Sequence, residues 1–283
     1  WPPGREGLDM EEFRGSQNYV ASEELLRAAN IAMVLQKPLL IKGEPGTGKT
    51  MLAEAISQAL GKKLIIWNIK STTKAQDGLY VYDTVARLYD SQFGGEGVSD
   101  IRRYIKLGKL GEAFRAEEQV VLLIDEIDKA DLEFPNDLLW ELDRMEFYIP
   151  ETRETVRARH RPVVIITSNA EKELPDAFLR RCVFHYIQFP DKAMMERIVR
   201  AHYPRIDDEL LAQAMETFYL LRECGSLQKK PSTSELLDWV QALEIGGVDP
   251  KKLRDTLPFA GVLLKKTEDL NKAASGVRNR RSW

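Results

Sequence analysis

The chain has few of the residues that mark a metal centre, a disulfide framework or a membrane anchor. Cys182 and Cys224 are the only cysteines among 283 residues. Two are too few to staple a fold, and they read as free, buried thiols of a reducing compartment. The three histidines, His160, His185 and His202, lack metal-ligand spacing and read as surface or packing residues. The longest apolar runs, around 120–124 and 163–166, fall far short of the ~20 residues needed to span a bilayer. No stretch has the pattern of a secretory leader, which together with the free thiols gives the expectation of a cytoplasmic protein. A formal net charge of −3 gives no general attraction to nucleic acid, so such binding would need a local basic patch. No internal repeat or low-complexity tract is present. What remains is ordinary globular material, 43% hydrophobic and 30% charged, enough for one large domain or two modest ones.

Against that plain background one stretch stands out, Gly43-Glu44-Pro45-Gly46-Thr47-Gly48-Lys49-Thr50. An apolar run from Pro38 to Ile41 precedes it and reads as a short buried strand. Met51 to Leu60 follows and reads as a helix. The pattern G-x-x-x-x-G-K-[ST] between strand and helix is that of a phosphate-binding loop. Its glycines let backbone N–H groups converge on phosphate oxygens, and the helix N-terminus adds partial positive charge. Lys49 would reach the β- and γ-phosphates and Thr50 would hold Mg²⁺, with Gly43 to Met51 forming the nucleotide cradle. The segment therefore predicts a site for a nucleoside triphosphate.

Before the loop, Trp1 to Asn18 is polar and rich in Gly and Arg, and reads as a loosely tied arm. Ser22 is an N-cap candidate for a helix over Glu23–Leu35, with Leu25, Ala28, Ala29, Ala32 and Leu35 on one face. After the loop, Lys63–Asn68 reads as a second strand. Residues 69 to 98 are less regular, with short apolar pieces between turn signals. A helix over about Gly108–Glu117 leads to the strand Val120–Ile124. That strand delivers Asp125 and Glu126 at its C-terminal end, where an open α/β sheet places its chemistry. Asp125 suits a role in holding Mg²⁺, and Glu126 suits the base that orients and polarises an attacking water. Asp128 and Asp131 read as surface or helix-cap charges.

A helix over Asn136–Met145 comes next, then a β-hairpin over Phe147–Arg159. The strand Val163–Ile166 ends in Thr167-Ser168-Asn169. The Asn169 amide can bond the γ-phosphate or the attacking water, or can simply form a turn. Leu174–Arg181 reads as a short helix presenting Arg180 and Arg181, and Phe184–Phe189 as a fifth strand. From Pro190 the pattern is helical only, with helices expected near 191–201, 208–223, 233–242 and 251–270. The residues from Arg278 onward read as a solvated basic tail.

Together the phosphate loop, the Leu-Leu-Ile-Asp-Glu strand, the Thr-Ser-Asn strand end, the arginine pair and the helical region resemble an AAA+ ATPase. More narrowly they resemble the MoxR family, close to the dynein-related group. The insertion over 69–97 and the hairpin over 147–159 carry that narrower likeness. The resemblance implies a three-layer αβα core over 19–189 with a parallel five-stranded sheet, preceded by the arm over 1–18. A small all-α lid over 190–277 and a tail over 278–283 would follow. It implies ATP and Mg²⁺ as cofactors, Lys49 and Thr50 in the Walker A roles, Asp125 and Glu126 as the Walker B pair, and Asn169 as sensor 1. Arg181 would take the arginine-finger position with Arg180 beside it, supplied to a neighbouring subunit. The pair could instead be a structural ion-pair site. One position departs from the family pattern. Ser234 stands where a lid arginine is usual, and Lys229 or Lys230 are candidates to replace it.

The resemblance further implies a homo-oligomeric, hexameric ring that remodels client proteins, with a von Willebrand factor A domain as partner. An alternative is a nucleic-acid-stimulated motor of restriction-system type. The cations Arg153, Arg157, Arg159 and Arg161, with Arg103 and Lys106, would have to form a basic pore for that. Glu151 and Glu154 dilute the hairpin's charge, so nucleic acid is the less favoured partner.

Overall fold

The computed structural model describes residues 12–16, 19–94, 98–169, 171–223, 225 and 227–278. Most of the expected arm, residues 95–97 of the insertion, Cys224, and Arg280 and Arg281 of the expected tail lie outside them. The chain forms two compact units. Of the described residues, one comprises those within 12–16, 21–43 and 49–187, the other those within 19–20, 44–48 and 188–278.

In the first unit, α1 (Glu23–Leu35) starts as the sequence predicts, with Ser22 Oγ accepting from Leu25 N at 3.2 Å. Then come β1 (Leu39–Gly43), α2 (Lys49–Ala59), β2 (Leu64–Asn68), α3 (Ala75–Leu79), β3 (Tyr80–Tyr82) and α4 (Thr84–Phe93). They are followed by β4 (Ile105–Leu107), α5 (Lys109–Arg115), β5 (Val121–Asp125), α6 (Phe134–Asp137) and α7 (Leu139–Arg144). The unit ends with β6 (Glu146–Ile149), β7 (Glu154–Arg157), β8 (Val163–Ser168), α8 (Asp176–Leu179) and β9 (Val183–Ile187).

Five strands form one sheet in the order β2-β5-β8-β1-β9, and every neighbouring pair is parallel. Buried on both faces, these strands read as continuous apolar runs rather than alternating ones. Leu40, Ile41, Val121 to Ile124, Ile165 and Ile166 are wholly buried. Each large apolar side chain so buried contributes about 1.5–3 kcal/mol relative to exposure. The register sets Asn68 beside Asp125 and Lys42 beside Ser168. The loop after β1, the carboxylates after β5 and the amide after β8 therefore leave the same edge of three adjacent strands.

Several expectations need correction. The arm is not loose where it is described. Phe13 is buried, and the Asn30 side chain both accepts from Phe13 N at 2.9 Å and donates to Phe13 O at 3.0 Å. The less regular stretch is ordered as α3, β3 and α4, with β3 paired antiparallel to β4. The helix expected over 136–145 is jointed at Leu138, whose N–H reaches back to the Pro135 carbonyl in a tighter turn. Phe147–Arg159 does form a hairpin, with β6 antiparallel to β7.

The second unit carries α9 (Lys192–His202), α10 (Asp208–Glu223), α11 (Thr233–Ile245), α12 (Ala260–Leu263) and α13 (Thr267–Arg278). Trp239, Phe218, Val199, Leu236 and Leu253 lie at the centre of its own apolar core. The single helix expected over 251–270 is broken into a 3₁₀ turn, Pro250–Arg254, and the separate α12 and α13. Pro258 disfavours a helical Leu257 before it, and Phe259 turns left-handed at φ 54°. α13 continues through Arg278, so that residue is helical rather than part of a tail.

Candidate functional site

The phosphate-loop sequence builds a loop whose backbone requires glycine at two points. Gly46 and Gly48 have φ of +77° and +81°, a region that side-chain-bearing residues avoid. A Cβ on Gly46 would stand 2.5 Å from Ser232 Oγ, and one on Gly48 would stand 3.4 Å from a Tyr19 ring carbon. Thr47 Oγ1 donates to the Glu44 carbonyl at 2.8 Å, closing the turn. Lys49 opens α2, is 6% exposed, and donates from Nζ to the Gly43 carbonyl at 3.0 Å. The ammonium is thus folded back over the loop, at the positive end of an 11-residue helix. Met51, the last cradle candidate, is partly exposed on the same helix.

At the sheet edge the predicted carboxylates form a continuous hydrogen-bonded group. Thr50 Oγ1 lies 3.2 Å from both Asp125 carboxylate oxygens and donates to them. Thr167 Oγ1 donates to Asp125 Oδ1 at 2.5 Å and accepts from Glu126 N at 2.8 Å. Glu126 adopts φ 58°, ψ 50°, a left-handed conformation costing a non-glycine residue about 1–3 kcal/mol. The Thr167 hydroxyl holds that kink in place. Asn169 Nδ2 donates to Glu126 Oε1 at 2.8 Å, and the Lys129 ammonium pairs with Glu126 Oε2. The Glu126 carboxylate in turn raises Lys129 above the usual lysine range, more than partial burial lowers it.

Asp128 is not the surface charge that its neighbours suggested. It is 2% exposed and accepts from Asn169 N at 3.2 Å and Glu171 N at 2.9 Å. Its carboxylate pins the loop that carries Asn169. Thr167, Asp128 and Lys129 are thus the residues that sequence reasoning missed. The only available signal was their position beside the acidic pair and the strand-end amide, and nothing local distinguishes an inward from an outward aspartate.

The arginine pair does not join this group. Arg181 is committed within its own chain, Nε donating to Asp143 Oδ2 at 2.6 Å and Nη1 to the Ala177 carbonyl at 2.8 Å. Arg180 is exposed, with no ion pair among the described residues. Cys182 beside them is half-buried rather than buried, and burial pushes its thiol up to about 12.

Three of the six cations named for a basic pore are paired with acids. Arg157 pairs with Glu146 at 2.6 Å, Lys106 with Asp83 at 2.8 Å and Arg159 with Glu117 at 3.9 Å. Glu154 takes both Arg102 and Arg115. Arg161 donates to the Leu142 carbonyl at 3.3 Å.

The chain is similar to several known proteins. The chain is 29% identical over 191 residues to midasin of Dictyostelium discoideum, covering 65% of the chain and 3% of midasin. It is 26% identical over 230 residues to spastin of Ixodes scapularis, covering 77% of the chain and 32% of spastin. Fidgetin-like protein 1 of Homo sapiens is 27% identical over 167 residues, 58% of the chain and 21% of that protein. The chain thus spans about a third or less of each of these relatives. The model of the ATPase family associated with various cellular activities matches residues 39–190, more than half of the chain and the whole of its parallel sheet. With its phosphate loop, its paired carboxylates and its strand-end amide in that frame, the chain belongs to the AAA family of ATPases.

Proposed function

We propose that the chain is the ATP-hydrolysing part of a ring-forming remodelling ATPase of the MoxR type. The observation that carries this reading is the unbroken hydrogen-bonded path Thr50–Asp125–Thr167–Glu126–Asn169. It joins a metal-binding hydroxyl, an acid beside it, a general base and a polar orienter.

In this reading Lys49 binds the β- and γ-phosphates, exchanging its present carbonyl partner for phosphate oxygens. Thr50 and Asp125 offer a hydroxyl and a carboxylate, hard oxygen donors of the kind Mg²⁺ takes together with water and phosphate. An Mg²⁺ held by Thr50 and Asp125 would supply neutralisation of the charge that develops on the phosphate oxygens. Glu126 takes the proton of the attacking water, and Asn169 holds the carboxylate in the required orientation. Lys129 must release Oε2 for this, so the structure corresponds to a restrained base.

The wider proposal is a homo-oligomeric ring, hexameric by resemblance, in which Arg181 or Arg180 reaches a neighbour's site. It acts on protein clients, with a von Willebrand factor A domain protein as a partner. The test is ATP turnover by purified protein with and without Mg²⁺, followed by affinity capture with Glu126→Gln in ATP. Metal-dependent turnover that Glu126→Gln abolishes while nucleotide stays bound supports the reading. Normal turnover by Glu126→Gln overturns the assignment of the base.

A further inference from the structure

The helix α4 is amphipathic with its faces reversed, and none of the roles above uses it. Its two charged residues, Arg87 and Asp90, lie on one side, and Val85, Leu88, Tyr89 and Phe93 lie on the other. At 3.6 residues per turn, positions i, i+3, i+4 and i+8 share one face. The charged side is the one bound to the rest of the unit. Arg87 Nη1 donates to Tyr82 Oη at 2.5 Å, Tyr104 Oη donates to Asp90 Oδ2 at 2.8 Å, and Lys106 pairs with the N-cap residue Asp83 at 2.8 Å. The apolar side faces out. Val85 is 77% exposed, Leu88 60%, Tyr89 62% and Phe93 70%, and no residue of the helix is buried. The Tyr89 and Phe93 ring centroids are 4.6 Å apart, so the stripe is continuous at that end.

The mount of this helix is firm. β3 and β4, which flank α4 in the chain, pair with each other. Tyr80 Oη donates to Glu151 at 2.9 Å in the turn between β6 and β7, and Arg102 pairs with Glu154. A contiguous apolar stripe held outward by bonds on its far side marks a docking surface, unlike single scattered surface hydrophobes. Three features bear on what covers it. A stable contact with a second copy buries about 800 Å² per partner, and four side chains on one 10-residue helix fall short of that. A helix that lies on a membrane keeps cations on its polar face to meet the headgroups, whereas here the polar face is turned into the protein and its one cation, Arg87, is bonded to Tyr82. The stripe itself carries no charge, since the one polar residue within it, Gln92, is neutral. Its complement is an uncharged apolar segment.

We propose that the outward face of α4 is a docking site for a short, uncharged apolar segment of another protein, of the kind an unfolded chain exposes. Identifying that segment with a client rests on the remodelling reading above, whereas the binding itself needs no nucleotide. Apolar burial is non-directional, so the face accepts many sequences, with the aromatic pair Tyr89 and Phe93 as its anchor. The bonds of Arg87, Asp90 and Asp83 hold the helix in place beforehand, so little freedom is lost on binding. A charged residue within the segment would be taken out of water against Leu88 and Tyr89 with no partner for its charge. The face therefore selects for apolar character and against charge of either sign.

The test is fluorescence anisotropy of the full-length chain, without nucleotide, against two labelled peptides. One carries Leu, Val and Phe spaced by Ser and Gln, and in the other Ser replaces every apolar residue. The wild type should bind the first saturably and the second at least about tenfold more weakly. Leu88→Ser with Phe93→Ser should weaken the apolar peptide by about tenfold or more, with an unchanged urea midpoint because both side chains are exposed. Ile31→Ser with Leu35→Ser, an equally exposed apolar pair on α1, should change it by less than about twofold. Should the first variant fail to fold, Gln92→Glu decides, since it sets a charge in the stripe without removing packing and should weaken the peptide likewise. Equal binding by wild type and the α4 variants overturns the proposal, as does a wild type that binds neither peptide. Self-association of the wild type that the α4 variant loses, with no peptide bound, overturns it in favour of a second copy. Co-sedimentation with phosphatidylserine-containing vesicles that the variant loses, with no peptide bound, overturns it in favour of a membrane. A wild type that binds the apolar peptide but hydrolyses no ATP sinks the ATPase reading and the client with it, and supports the docking face alone.

Discussion

Asn169 Nδ2 donates to Glu126 Oε1 at 2.8 Å, across 43 residues of sequence. In the proposed reading of Glu126 as the base, the bond makes the strand-end amide its orienter. Asn169→Ala should therefore lower kcat by about tenfold or more and leave KM for ATP within a few-fold, because it removes orientation and not phosphate binding. Steady-state ATP hydrolysis over a concentration series reads both constants. A large rise in KM with unchanged kcat would place Asn169 on the phosphate instead.

The buried Asp128 carboxylate satisfies two backbone N–H groups, those of Asn169 and Glu171. Asp128→Ala would leave both without their acceptor, at a cost of about 1–3 kcal/mol each in the least hydrated case. The expected result is a lower urea midpoint with unchanged m, together with reduced turnover because Asn169 loses its anchor. A surface aspartate would give neither effect, so an unchanged midpoint would refute the structural role.

Glu235 gives the helical unit a dependence on pH. Burial pushes its carboxyl up, but hydrogen bonds from Ser232 and Lys229 outweigh burial and hold it below the ordinary range. A carboxyl whose folded value is depressed adds stability that is fully present above its unfolded value, ordinarily near 4.3. That stability is lost as pH falls through the folded value. Chemical denaturation at pH 7 and near pH 3.5 should show wild type losing more than Glu235→Gln over that interval. Equal losses would remove Glu235 from the balance.

The sheet, and the positions that make up much of the candidate site, were readable from the chain because both rest on local signals. Val120 to Ile124 and Val163 to Ile166 are short apolar runs of the kind a strand covered on both faces takes, and the phosphate-loop pattern occupies eight consecutive residues. Long-range pairing was not readable. Tyr80 and Glu151 lie 71 positions apart, and nothing in either neighbourhood selects the other. The inward turn of Asp128 depends on amides that become available only once β5 and β8 are side by side. The break at Phe259 had a local signal, Pro258, yet the apolar spacing around it still suggested a single helix.

Arg181 supplies the last prediction, because its present bonds and its proposed role compete. A finger that reaches a neighbouring subunit must leave Asp143 and the Ala177 carbonyl. Arg180 is exposed on the same short segment and faces no such competition. If Arg181 is the finger, Arg181→Ala should reduce turnover by a large factor, up to roughly 10³–10⁵ for a full trans contribution, and Arg180→Ala by much less. Asp143→Asn should then raise turnover or leave it unchanged. If Arg181 is structural, Asp143→Asn and Arg181→Ala should lower stability alike, and the large kinetic loss should fall on Arg180→Ala. Mixing the impaired arginine variant with Glu126→Gln subunits completes the comparison. Activity should return where one subunit's intact arginine meets another's intact Glu126, and its absence in assemblies of unchanged size would exclude action in trans for that arginine.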